Sequence, residues 1–196
     1  YLLLIGRTRA ALRNEELRWY VVIVIAAVAV VTADIFSQYG TLGRALRYAF
    51  FQVSSIITTT GFATADFANA WPQLSQHVLV MLMIVGACAG STAGGLKMAR
   101  FIVLVKTFPA EVHRMIHPRM VSVIRMNGKP VAGETIHGVR VYFSLYMMVI
   151  FASVMLLSLD ELSFTTNLTA ELACFNNIGP GLELVGPMGN FAIYSP

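Results

Sequence analysis

A chain of 196 residues that is 57% hydrophobic and only 12% charged, with a mean hydropathy of +0.69, has too little polar surface to solvate a compact body of its size, which excludes an ordinary soluble domain. The net charge of +4 has the sign that attracts nucleic acid, but the cations are sorted along the chain in a way that a membrane explains and a nucleic-acid surface does not. The reading is an integral membrane protein with the lipid bilayer as its partner and no nucleic acid.

Arg7, Arg9, Arg13 and Arg18 precede the first apolar run, and Lys97, Arg100, Lys106, Arg114, Arg119, Arg125, Lys129 and Arg140 cluster between the second and third. Only Arg44 and Arg47 fall in the opposite loops, which carry Asp66, Asp160, Glu161 and Glu183. The positive-inside rule then puts the N-terminus and the loop 109–133 in the cytoplasm. Cys88 and Cys174 have no partner at metal-ligand spacing and are expected as buried free thiols. The apolar stub Tyr1-Leu2-Leu3-Leu4-Ile5 reads as the end of an upstream helix, so residues 1–14 are the cytoplasmic end of a preceding segment and the chain is expected to be a piece of a longer protein.

Glu15 and Glu16 favour a helix start, and the run that follows predicts a span over 15–36, with Trp19 and Tyr20 as interfacial anchors and an external turn from Ser37 to Gly43. Residues 44–57 are apolar at helical spacing through Ala45, Ala49, Val53 and Ile56, but such a helix is only about 20 Å long and cannot cross a hydrocarbon core of about 30 Å. The polar break Thr58-Thr59-Thr60-Gly61-Phe62-Ala63-Thr64 follows, and Phe67 to Pro72 marks a return to the interface on the side from which the chain came. A span over 74–108 is interrupted by Gly86, Gly90, Gly94 and Gly95 among Ser91, Thr92 and Ala93, a composition that cannot support a rigid helix. Asn127-Gly128-Lys129-Pro130 is a turn in the basic loop. A span over 134–159, a short helix over 164–175 with Thr165 or Thr166 as its N-cap, and a second break, Asn176-Asn177-Ile178-Gly179-Pro180-Gly181, complete the chain.

The order of span, short helix and glycine break thus occurs twice, with Gly61 and Gly179 in equivalent places and little identity elsewhere. Non-helical backbone sits at membrane depth only where it is buried in protein or lines a cavity. A filter that replaces an ion's hydration shell with carbonyl oxygens needs such backbone, and glycine makes its geometry accessible. Short helices that run inward aim their negative C-terminal ends at the ion, which favours cations. Asp66, Glu171 and Glu183 are candidates to strengthen this at the mouth.

Other readings fit less well. Gly90-Ser91-Thr92 lacks the lysine of a phosphate-binding loop, although a close-packed face of small residues remains an alternative for that stretch. His113 and His117 have no third ligand nearby. Asn167-Leu168-Thr169 matches a glycosylation acceptor inside a helix that dips into the membrane. Ser91 as a hydrolase nucleophile has only the distant His77 as a base. The sequence calls for no catalytic residue and no cofactor, so an enzyme is not expected.

Thr58-Thr59-Thr60-Gly61-Phe62, the loop Gly90-Ser91-Thr92-Ala93-Gly94-Gly95-Leu96-Lys97 and Asn176-Asn177-Ile178-Gly179-Pro180-Gly181, in this order and spacing, resemble the Trk/Ktr/HKT potassium transporters, here a bacterial membrane subunit. The resemblance covers nearly the whole chain. It implies an all-α polytopic membrane protein of repeated span, pore helix, filter loop and span units of potassium-channel type, of which this chain holds the third (15–108) and most of the fourth (134–196). It implies potassium as the transported ion, bound at Thr59, Thr60, Gly61, Asn177, Ile178 and Gly179, with Gly86, Gly90, Ser91, Thr92, Ala93, Gly94 and Gly95 in a gating loop. It further implies a homodimer in the bacterial plasma (inner) membrane and a cytosolic, nucleotide-binding TrkA-like ring that contacts residues 106–133. The alternative is a secondary solute carrier with broken helices, coupled to Na+ or H+.

Overall fold

The structure, a computed structural model, describes residues 13–117 and 123–195. The stub at 1–5, Arg7, Arg9 and Arg119 lie outside the described residues. The described chain contains seven α-helices, one small hairpin and three single-turn 3-10 helices at Ser158–Asp160, Glu183–Val185 and Phe191–Ile193; the α-helices and strands are α1 (Glu15–Tyr39), α2 (Leu42–Ile57), α3 (Phe67–Ala70), α4 (Gln73–Val85), α5 (Met98–Ile116), β1 (Arg125–Met126), β2 (Lys129–Pro130), α6 (Gly133–Leu157) and α7 (Phe164–Phe175). The fold is all-α, and α1 and α6 are long and apolar enough to cross a membrane.

Helix α1 starts where the Asn14 carboxamide accepts from the N–H groups of Glu16 and Leu17, with both glutamates in the first turn. It runs three residues beyond Phe36, so Ser37 to Tyr39 are helical rather than part of a turn, and it stops at Gly40, whose φ of 65° is left-handed. The chain folds straight back as α2, which begins at Leu42, two residues before Arg44, and buries Ala45, Ala49, Val53 and Ile56 along one stripe. Tyr39 stacks on Tyr48 at 4.6 Å between ring centroids and accepts a hydrogen bond from the Trp71 indole at 3.1 Å. Helix α4 has Pro72 at its N-cap position, which offers no side-chain cap. Asp34 on α1 supplies one instead, accepting from the Ser75 N–H at 3.0 Å and the Ser75 hydroxyl at 2.6 Å.

Helices α4 and α5 are separated by the glycine-rich loop 86–97. Helix α5 then continues past residue 108 and through Pro109 to Ile116, so the first part of the basic loop 109–133 is helical. Proline removes one intrahelical bond, to the carbonyl of Val105. Val105 and Phe108 are both exposed, so the loss falls on the outer face of the helix and not in the core. The loop returns as the hairpin, in which Asn127 and Gly128 both have positive φ, the geometry of a tight two-residue turn. Arg100 lies 4.1 Å over the Tyr142 ring and Arg140 pairs with Glu111, tying α5 to α6.

One apolar cluster holds the described chain together, and it takes in Val31 and Ile35 of α1, Val53 and Ile56 of α2, Leu79 of α4, Tyr146 and Ile150 of α6 and Leu172 of α7. Helix α7 is capped by Ser163, not by Thr165 or Thr166, because only Ser163 stands in extended backbone ahead of the first turn, where its hydroxyl reaches the Thr166 N–H at 3.1 Å. Of the two free thiols expected inside, Cys174 is exposed and Cys88 is half-buried. A constant displacement in sequence carries Glu15 to Gly133, Tyr39 to Leu157, Ile57 to Phe175 and Gly61 to Gly179.

Candidate functional site

Both short helices end directly at a break, and the chain leaves each by the same path. The Thr58 N–H donates to Ser54 O at 3.1 Å, Thr59 to Ile56 O at 3.0 Å and Thr60 to Ser55 O at 2.9 Å. At the second break Asn176 donates to Leu172 O at 3.1 Å, Asn177 to Cys174 O at 3.1 Å and Ile178 to Ala173 O at 2.8 Å. Thr59 and Asn177 both take φ 54°, and Gly61 (φ 78°) and Gly179 (φ 115°) follow two residues later. A non-glycine residue held at positive φ is strained, and its occurrence at the same place in both breaks marks a backbone shape enforced by its surroundings.

Past these turns the carbonyl oxygens are left over. No backbone N–H among the described residues donates to the oxygens of Thr59, Thr60, Gly61, Asn177, Ile178 or Gly179. The two breaks meet at their glycines: a Cβ on Gly61 would lie 1.9 Å from the Ile178 carbonyl oxygen, and one on Gly179 would lie 3.8 Å from Gly61 Cα. With the C-terminal ends of α2 and α7 behind them, these oxygens form a region of negative potential.

The glycine-rich loop packs against both breaks at once. A Cβ on Gly94 would lie 1.9 Å from the carbonyl oxygen of Asn176, and the Gly94 N–H donates to the Thr59 hydroxyl at 3.3 Å. Gly86 and Gly95 pack against the loop's own backbone, and Ala93 is buried. Gly90, Ser91 and Thr92 are exposed, and a side chain at Gly90 would meet nothing within 4 Å.

A cavity of about 670 Å³ opens against Gly61 and Gly179, lined further by Asp66, Pro180, Gly186 and Phe191. Asp66 thus stands at its wall, where it also caps α3 by accepting from the Asn69 N–H at 3.3 Å. Glu183, one of the acids expected at the mouth, instead accepts from the Thr166 hydroxyl at 2.7 Å and from Ser163 at the N-terminal end of α7, and these bonds hold its carboxyl below the usual range. Glu171 is half-buried in the body of α7.

A sequence model of the cation transport protein TrkH matches residues 17–189. The chain belongs to the TrkH family of cation transport proteins. Trk system potassium uptake protein TrkI of Halomonas elongata is 35% identical over 188 residues, which is 95% of this chain and 38% of the relative. TrkH of Escherichia coli is 31% identical across 99% of this chain and 40% of its own length. The crystal structure of the potassium transporter TrkH from Vibrio parahaemolyticus superposes with a TM-score of 0.80 at 31% identity, covering 92% of this chain and 40% of that one. This TrkH-family chain therefore spans about two fifths of the length of the relatives it matches.

Tyr146 lies outside the filter and loop segments singled out in the sequence, while Asn176 and Lys97 lie within them but were given no ligand or gating role. Asn176 is buried, accepts from the Tyr146 hydroxyl at 3.0 Å, and leaves its Nδ2 unpartnered among the described residues. Tyr146 itself is the hydroxyl that the long apolar helix α6 brings to that point. Lys97 follows the glycine run and turns back onto it. The signal for Tyr146 and Lys97 was a polar or charged group set in apolar or glycine-rich sequence.

Proposed function

We propose that this chain contributes two of the filter segments and the gate of a potassium uptake pathway. The observation that carries the reading is the meeting of the two breaks, Gly61 against the Ile178 carbonyl, with Gly94 pressed on the Asn176 carbonyl beside them. The carbonyls of Thr59, Thr60, Gly61, Asn177, Ile178 and Gly179 replace the hydration shell of the ion. The negative ends of α2 and α7 favour a cation over an anion there. The names of the relatives, potassium uptake proteins, support potassium as the ion.

In this reading the loop 86–95 closes the path beneath the filter, and its displacement opens it. A membrane potential supplies about 2.3 kcal/mol per charge per 100 mV, which draws a cation inward with no chemistry on the protein. The chain sits in the bacterial inner membrane with its N-terminus and loop 109–133 in the cytoplasm, as part of a homodimer. A nucleotide-binding TrkA-like ring engages the basic side, where Asn127 of the hairpin donates its N–H to Glu15 at 3.0 Å and Lys106 pairs with the same carboxylate. The broken-helix solute carrier needs helix N-termini facing its substrate, whereas α2 and α7 present C-termini.

The test is rubidium uptake by the full-length parent in cells without potassium transporters of their own, comparing wild type with Gly61→Ser and Gly179→Ser at equal membrane expression. Reduced uptake, or sodium admitted, in both variants supports one shared filter. Uptake absent in wild type, or indifferent to both changes, overturns it.

A further inference from the structure

The glycine-rich loop ends in a fixed positive charge placed against local preference. Lys97 stands at the N-cap position of α5, where the helix dipole disfavours a cation, and its φ of 68° is one that side chains other than glycine adopt only under constraint. What opposes both costs is the position of its ammonium. Nζ donates to the Ser91 carbonyl at 2.6 Å and to the carbonyl of Ala93. Charge-assisted bonds of this kind are the strong ones. Ala93 is buried and directly precedes Gly94, the residue pressed on the Asn176 carbonyl and bonded to the Thr59 hydroxyl. The charge therefore fixes the one stretch of the loop that touches both breaks.

We propose that the Lys97 ammonium is a tethered substitute for the permeating cation. It occupies the carbonyls of Ser91 and Ala93 as a bound cation would, and it holds the loop shut beneath the filter. An ammonium carries three donors and a full positive charge, and backbone carbonyls serve it as they serve potassium. Lys97 is thus a positioning residue of the gate, acting through Ser91, Ala93 and Gly94. The proposal rests on the potassium-pathway reading above.

The experiment uses the purified full-length parent in lipid vesicles, without any cytosolic partner, reading rubidium flux. Lys97→Met raises this basal flux by about tenfold, the factor that goes with losing a charged hydrogen bond, and Lys97→Arg, which keeps charge and donors, leaves it near the wild-type level. A second variant, Lys97→Cys in a background where Cys88, Cys174 and any other cysteines are replaced, is also leaky. Treatment with 2-aminoethyl methanethiosulfonate rebuilds an ammonium of similar reach and brings its flux back down, whereas the sulfonatoethyl reagent does not. A merely structural lysine gives no such response to the sign of the added charge. If Lys97→Met is no leakier than wild type, or both reagents act alike, the lysine proposal fails while the pathway stands. If wild type carries no rubidium in vesicles or in cells, the pathway reading fails and the proposal with it.

Discussion

The breaks at 58–64 and 176–181 turn through the same backbone angles, with Thr59 and Asn177 both at φ 54°, yet they are supported in different ways. The first is held mainly by hydroxyls of the break and of the helix that leads into it: Thr58 Oγ1 donates to Ser54 O at 2.6 Å and lies 2.8 Å from Thr60 Oγ1, while Ser55 of α2 donates to Phe62 O at 2.6 Å. The second also uses its leading helix, with Thr169 of α7 accepting from the Leu182 N–H at 2.9 Å, but adds a side chain from a long span, Tyr146 of α6 on Asn176. What the two share is main chain, and what differs is side chain. The proposed filter, in which carbonyl oxygens hold the ion, calls for that kind of sharing.

The largest effect should come from the glycines. At Gly61 a side chain meets both a positive φ and the Ile178 carbonyl, whereas at Gly179 it meets the φ alone. Backbone strain of about 1–3 kcal/mol corresponds to roughly a five- to 150-fold loss of the native loop population. Rubidium uptake should therefore fall in both serine variants and further in Gly61→Ser. Equal losses would mean that the contact between the breaks contributes nothing.

Next in size is the loop that touches both breaks. Gly94→Ala drives a Cβ into the Asn176 carbonyl, while Gly90→Ala enters open space. The expected result is constitutive rubidium flux in Gly94→Ala, several-fold above wild type by the cost of such a backbone shift, with Gly90→Ala unchanged. The same flux measured for the pair reports whether the loop closes the path at Gly94, and matching behaviour of the two would remove the distinction.

The helix lengths and the breaks were legible because they follow from comparing apolar runs with the bilayer thickness and from the cost of glycine in a helix. What stayed illegible depended on contacts between distant residues. Four glycines in one loop look alike in sequence, and only the Asn176 carbonyl distinguishes Gly94 from Gly90. Lys97 was counted with the cytoplasmic cations: its place after a glycine run marks it, but only the folded loop shows that it turns back onto Ser91 and Ala93. The cap of α7 was misplaced by two or three residues because Ser163, Thr165 and Thr166 are equivalent by composition and differ only in backbone angle. Local reasoning also stopped a helix at Pro109 whose lost bond falls on an exposed face.

A smaller effect separates the side-chain supports. Tyr146→Phe leaves both ends of the buried Asn176 carboxamide without a partner, at a cost of about 1–3 kcal/mol. Thr58 is exposed and its partners lie on its own turn, so Thr58→Val costs about 1 kcal/mol or less. Thermal unfolding of the full-length parent in detergent should therefore place Tyr146→Phe below Thr58→Val. The reverse order would show that the first break depends on its hydroxyls more than the second depends on α6.

The smallest effect lies at the other end of the short helices. Helix α2 has no side-chain cap, because Thr41 makes none, while α7 is capped by Ser163 and bridged by Glu183. Bonds from Ser163 and Thr166 lower the Glu183 pKa below its ordinary value of 4.5. A carboxyl depressed in the folded state adds stability that is complete above its unfolded pKa and is lost as the pH falls through the folded one. Glu183→Gln should thus unfold at a slightly lower temperature than wild type at pH 7, and the gap should shrink as the pH is taken below 4.5. No comparable acid-sensitive increment is expected from Thr41→Ala at the start of α2. A gap that stays constant across that range would mean that the carboxylate charge does not stabilise α7, and that the two short helices differ only in their hydroxyl caps.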